Sequence, residues 1–292
     1  MVAAHALEIK NILVPVAGTD DDQVALDLAI DLARRASAHV EVLHTRADPK
    51  SVIPFVGEGG SAAMVQDMID SAARDAEQRA ARARLAFDSA AAGLPVTDEP
   101  GTADGASVDW HEATGREAHW VVRRGRLADL VVAARPTDPD DIEQAVMLEA
   151  ALFDSGRAVL LAPPQLPAQT GTKVAIAWNG SAQAARAVGE AMPFLRAAEE
   201  VIVLTVEEGG ELPDDPEALA ASLAWRGVPA TVHSVKSADG GTGATVLDEA
   251  QRLGCDLVVM GAYGHSRLRE MVLGGATRQA LTATALPILM SH

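Results

Sequence analysis

The chain repeats itself, and that limits its possible folds more than any other feature. Ile12-Leu-Val-Pro-Val-Ala-Gly-Thr19 returns as Val174-Ala-Ile-Ala-Trp-Asn-Gly-Ser181, and Asp129-Leu-Val-Val132 returns as Asp256-Leu-Val-Val259. Each opening unit reads as an apolar strand, a glycine, a hydroxyl residue and an Ala-rich helix. The segment Val201 to Val206 likewise repeats the strand Val40 to Thr45. A self-similarity of this length means two copies of one fold, each about 150 residues long.

Within each copy, strand and helix patterns alternate. Asn11 to Val16 predicts a buried strand and Val40 to Thr45 a second one. The helix between them runs to about Ala36, with Val24, Leu28 and Leu32 on one side and Asp20, Asp21 and Asp22 at its start, where negative charge suits the dipole. A crossover of about twenty residues between strands implies parallel pairing. The spacing then predicts a long helix over 62–92, whose charges read as a solvated face with i to i+4 pairs. Next come a strand at Val108 to Ala113, a helix at Arg116 to Gly125 and a strand at Asp129 to Ala133. A helix at Asp141 to Asp154 and a strand at Ala158 to Leu161 complete the first copy. Pro163-Pro164-Gln165-Leu166-Pro167 forms a stiff linker. The expectation is α/β: two tandem doubly wound parallel-sheet domains of flavodoxin or Rossmann-like type, over 1–165 and 166–292.

Composition excludes several classes. Hydrophobic residues make up 48% and charged residues 22%, so the chain can bury a core. With 24 basic and 41 acidic residues, a formal charge of −17 argues against nucleic acid or an anionic membrane as partner. No apolar run is long enough to span a bilayer and no secretory leader opens the chain, so the cytoplasm is the expected location. The one cysteine, Cys255, reads as a small buried hydrophobe. The histidines form no cluster with metal-ligand spacing.

The chemistry concentrates near the end. The strand Leu257 to Met260 stops at Gly261, followed by Gly264, Gly274, Gly275 and Thr277, with a helix starting near Ala276. Glycines let backbone amides approach oxygen-rich ligands, and a fresh helix N-terminus adds unpaired N–H groups. That combination suits a phosphate chain, although glycines between strand and helix also serve as ordinary turns. In the first copy, Ala133-Ala-Arg-Pro-Thr follows the matching strand, with no glycine loop, and Pro136 removes an amide donor.

Gly261-x2-Gly264-x9-Gly274 after Asp-Leu-Val-Val-Met, together with Lys10-Asn-Ile-Leu-Val-Pro-Val and the Ala-rich first helix, resembles the universal stress protein family in its tandem form. The resemblance covers nearly the whole chain. It implies an adenine-nucleotide-hydrolase-like fold and a stress-response protein that binds ATP, ADP or AMP in its C-terminal copy, with Mg2+ arriving only alongside a triphosphate. The implied phosphate contacts are Gly261, Ala262, Gly264, His265, Gly274, Gly275, Ala276 and Thr277; Asn179 and Val206 fall on the nucleoside. The family pattern has Ser or Thr where Gly275 stands. It has aspartate at the end of the first strand, where the first copy has Ala17 and the second Asn179. The first copy therefore reads as silent.

Slow ATP hydrolysis is the most that is expected of the chain as an enzyme, since nothing in the sequence fixes an acidic residue to orient His265 or Ser266. Gly240-Gly241-Thr242-Gly243 lacks the lysine of a P-loop and reads as the entry to a helix from Ala244 to Leu253. The rival reading is an interaction scaffold or apolar-metabolite binder whose copies pack through their last strands. Those strands, around Leu160 and Leu289, are also the expected edges for pairing two chains into a homodimer.

Overall fold

The computed structural model describes residues 7–48, 62–100, 104–136, 142–207, 215–238, 241–262 and 284–292. In the first copy these residues form β1 (Asn11–Val16), α1 (Asp22–Ala36), β2 (His39–Arg46), α2 (Ala62–Ala90), β3 (Ser107–Thr114), α3 (Glu117–Gly125), β4 (Leu130–Ala133), α4 (Ile142–Asp154) and β5 (Val159–Leu161). The second contributes β6 (Lys173–Ala177), α5 (Ala182–Glu190), α6 (Met192–Ala197), β7 (Glu200–Glu207), α7 (Pro216–Ala224), β8 (Thr231–Lys236), α8 (Gly241–Arg252), β9 (Leu257–Gly261) and β10 (Ile288–Ser291). The predicted α/β alternation is present in both copies among the described residues.

The two copies do not build separate sheets. One sheet of ten strands runs β3-β2-β1-β4-β5-β10-β9-β6-β7-β8. Within each half the pairing is parallel, in the order 3-2-1-4-5 and its counterpart, as in a doubly wound fold. The halves meet where β5 and β10 pair antiparallel, Leu160 opposite Leu289. This corrects the expectation that these strands are edges for a second chain. Their hydrogen-bonding sides are used within the chain, and the sheet ends at β3 and β8 instead.

Both faces of the sheet are covered. Ile12, Val14, Val40, Val174, Ile176 and Val203 pack with Leu26, Phe87 and Phe194 on one face, and that core runs through both copies. Leu13, Val131, Ile202, Leu204 and Val258 pack with Val121, Met147 and Leu247 on the other. Strands buried on both faces explain the continuous apolar runs. Cys255 lies within the second cluster, and burial pushes its thiol up to about 11, as fits a packing residue.

The repeated aspartate has one task in both copies. Asp129 accepts hydrogen bonds from the amides of Lys10 and Asn11 at 2.8 and 3.0 Å. Asp256 does the same for Gly171, Thr172 and Lys173 at 2.9 to 3.0 Å. Each ties the entry of its copy's first strand to the central strand beside it. The helix start near Gly241 differs from the expectation: Gly241, Thr242 and Gly243 lie inside α8. Thr245 secures that turn, accepting from the Ala238 amide at 3.0 Å and donating to the Gly241 carbonyl at 2.9 Å.

Arg135, like Arg35 and Arg196, reaches across the halves. It is buried, and its guanidinium donates to the carbonyls of Thr284 and Leu286 at 2.9 Å each, where the chain enters β10. Burial pulls its pKa down to about 10, still charged near neutrality. Arg135→Met should therefore destabilise the chain by about 3 kcal/mol, because two buried carbonyls lose their donor. Urea denaturation checks this; a loss under about 0.5 kcal/mol would show that the halves hold without the guanidinium.

Candidate functional site

In a doubly wound sheet the ligand crevice lies beyond the carboxyl ends of the strands, where the strand order reverses. Here that point falls between β1 and β4 in the first copy and between β6 and β9 in the second. The two crevices start from the same turn. Gly18 and Gly180, just beyond β1 and β6, take φ of 79° and 73°, in the left-handed region that glycine tolerates. They differ in what lies against that turn.

In the first copy the turn is filled from within. Asp22, the first residue of α1, is buried, and its carboxylate accepts from the amides of Ala17, Gly18 and Thr19 at 3.2, 2.7 and 3.0 Å. Helix α2 covers the other side. A Cβ on Gly18 would stand 2.3 Å from the carbonyl oxygen of Arg79, and Arg82 donates to the Gly18 carbonyl at 2.8 Å. His44, at the end of β2, is buried against Trp110, and Trp110 in turn packs against Phe87 of α2. The arginines of α2 are thus not all on a solvated face: Arg79 and Arg84 form i to i+4 pairs with Asp75 and Asp88, but Arg82 points inward and Arg84 lies over Phe87 and Trp110.

In the second copy Ala184 stands at the repeat position of Asp22, so no carboxylate on α5 takes that place among the described residues. Ser181 caps α5, accepting from the Ala184 amide at 3.1 Å, and Asn179 Oδ1 accepts from the Ser181 amide at 3.1 Å. Gly180 is exposed where Gly18 is buried. Trp178 packs against the core, its amide donating to Leu204 at 2.9 Å. Of the residues expected to meet a nucleotide, Asn179, Val206, Gly261 and Ala262 come together at the carboxyl edge, on β6, β7 and β9 or just beyond them. Val206 is buried and pairs with Val235, while the Ala262 amide donates to Ser291 at 2.7 Å. A Cβ on Gly261 would lie 2.5 Å from the Ala184 nitrogen, so close packing of β9 on α5 also requires a glycine there. Gly264, His265, Gly274, Gly275, Ala276 and Thr277, with Ser266, lie outside the described residues.

Among the described residues no group of three or more His, Cys, Asp or Glu is placed to hold a metal ion, and no helix is long and apolar enough to cross a membrane. Sequence reasoning missed Asp22 as more than a charge on the helix dipole. The signal was available in the repeat, where aspartate in one copy matches alanine in the other.

A ten-stranded sheet made of two doubly wound α/β halves defines a tandem protein of the flavodoxin-like fold class. The model of the universal stress protein family matches residues 8–136 and 172–292, and the chain belongs to that family. It is 24% identical to universal stress protein Slr1230 of Synechocystis, over 96% of this chain and 99% of that one. A universal stress protein from Archaeoglobus fulgidus shares the fold with a TM-score of 0.63 at 15% identity, covering 96% of this chain and 97% of its own. A universal stress protein solved in complex with cAMP covers 54% of this chain and 99% of its own, at 16% identity and a TM-score of 0.31.

Asp22 makes stability depend on pH. Burial pushes its carboxyl up to about 6, outweighing the amide bonds that favour the charged form. The folded state thus holds the proton more tightly than the unfolded state. That contribution is whole below about pH 4 and lost as pH rises through about 6. Relative to Asp22→Asn, the wild type should lose on the order of 2 kcal/mol between pH 4 and 7, read from urea midpoints. Parallel pH dependences for the two proteins would contradict a buried, ionisable Asp22.

Proposed function

We propose that this universal stress protein binds an adenine nucleotide, ATP, ADP or AMP, in its second copy only, and serves as a nucleotide-responsive regulator in the cytoplasm. Residues 166–292 would form the working domain and residues 1–165 the silent one. Asn179 and the Val206 backbone would meet the nucleoside. The segment from Gly261 and Ala262 through Gly264, His265, Gly274, Gly275, Ala276 and Thr277 would meet the phosphates with backbone amides and the Thr277 hydroxyl.

One observation carries the reading: the same left-handed glycine turn is answered by Asp22 in the first copy and by alanine in the second. A carboxylate on three loop amides occupies the place that an anionic ligand would take. Removing it frees the second turn for a ligand from solution. Mg2+ would enter only as the partner of a triphosphate, since no protein cluster among the described residues supplies its ligands. Hydrolysis, if it occurs, would be slow, because no base is placed at the described part of the crevice.

The scaffold reading draws on two contacts. Asn179 already serves its own turn, and Gly261 is needed for packing against α5. Calorimetry with ATP, ADP and AMP separates the readings: nucleotide binding should appear at about micromolar to millimolar Kd, and the absence of heat with all three would favour the scaffold. Gly264→Val should abolish binding while the circular dichroism spectrum stays unchanged. Unaltered affinity in that variant would place the phosphates elsewhere. Mass spectrometry of material released from the purified protein identifies a ligand directly.

A further inference from the structure

At the opposite, amino edge of the sheet, β2 and β3 border a cavity of about 420 Å3 whose wall includes Lys10, His39, Asp98, Glu99 and Ser107. His39 and Ser107 are register partners on neighbouring parallel strands, so their side chains leave the same face. Ser107 Oγ lies 2.9 Å from His39 Nδ1. The other ring nitrogen, Nε2, lies 3.4 Å from Asp109 Oδ1, two residues along β3 and therefore on that face too. The two make no hydrogen bond, but the negative charge so near Nε2 favours the tautomer with its proton there. Nδ1 is then the acceptor, and the Ser107 hydroxyl donates to it. The order is nucleophile, base and orienting carboxylate. Lys10 Nζ donates to the carbonyls of Ala36 and Ser37 at 2.8 and 3.4 Å, which fixes a positive charge on the same wall.

The hydrogen bond could merely tie two strands together. The other copy argues against a need for it: there β7–β8 pairing begins at Ile202 and Thr231, and the residue at the repeat position of His39 is Glu200. The fold is built the second time without the triplet. We propose that Ser107 is an activated nucleophile, with His39 as its base and Asp109 as a positioning residue, acting on small neutral or cationic acyl esters. Ser107 Oγ attacks the acyl carbon and its proton passes to His39 Nδ1. The bond to the alcohol oxygen breaks, and the departing alkoxide takes that proton. Water, deprotonated by His39, then releases the acid from the acyl-serine. Lys10 supplies the positive charge that balances the oxyanion, and Asp98 and Glu99 on the wall disfavour anionic substrates.

The test uses the full chain and a fluorophosphonate, whose phosphorus bonds to serine Oγ with loss of fluoride. Peptide mapping should find one adduct, on Ser107, absent from Ser107→Ala. Labelling should slow roughly a hundredfold in His39→Gln, the order of a lost general base. Asp109→Asn should slow it less, and Asp109→Glu should restore part of the rate, which a purely structural carboxylate would not do. The wild type should also hydrolyse p-nitrophenyl acetate above the buffer rate. A folded wild-type chain with no adduct on Ser107, or a folded His39→Gln labelled at the wild-type rate, would overturn the proposal and leave the triplet as a strand tie. If His39→Gln fails to fold, the site of the adduct on the wild type decides the matter alone.

Discussion

The antiparallel contact between β5 and β10 is the constraint on which the rest of the molecule rests. It is short, with Val159, Leu160 and Leu161 opposite Met290, Leu289 and Ile288. Backbone pairing in the middle of a sheet removes two rows of unpaired amides and carbonyls that would otherwise face water or a stranger's strand. It also lines up the apolar faces of the two halves, so that Leu160 and Leu289 share a cluster with Ile12 and Ile176. Arg135 supports the junction from the first copy with hydrogen bonds to the segment entering β10. The side chain that takes the place of a glycine loop in one copy has become a brace for the other.

Duplication leaves one copy free to lose what the other retains. The β1 and β6 turns keep a glycine at positive φ because the backbone path demands it, whatever ligand is or is not present. The amides of that turn need a partner once they are buried. In the first copy Asp22 supplies it, and α2 seals the turn with Arg79 and Arg82. The cost appears in the raised pKa of Asp22, a charge held where water cannot reach it well. In the second copy Ser181 and Asn179 take only the Ala184 and Ser181 amides, with neutral groups.

Much of this was legible in the residues. Buried strands such as Asn11 to Val16 and Leu257 to Gly261 announce themselves by unbroken apolar runs, and the repeat made parallel α/β halves the natural inference. What local pattern could not reveal was contact between distant parts. Arg135 looked like a lost loop because its carbonyl partners lie 149 and 151 positions further on. The sequence allows the copies to pack through their last strands, as they do, but it equally offers those strands as edges for a second chain, which the pairing of β5 with β10 excludes. Asp22 looked like a dipole charge because burial does not show in a run of three aspartates. The start of α8 was placed late because a glycine-rich run reads as loop, whereas Thr245 holds it in a helical turn. Only Asn179, Val206, Gly261 and Ala262 of the candidate nucleotide contacts fall among the described residues, and the sequence had already put all four at the ends of strands.

The central strand pair carries a consequence for concentration. Two separate chains joined through their final strands would come apart on dilution, since the contact would be governed by how often the chains meet. Here a covalent tether makes the meeting intramolecular, so the effective concentration is set by the linker and not by the amount of protein present. The ten-stranded sheet should therefore be as complete at trace levels as in a concentrated sample.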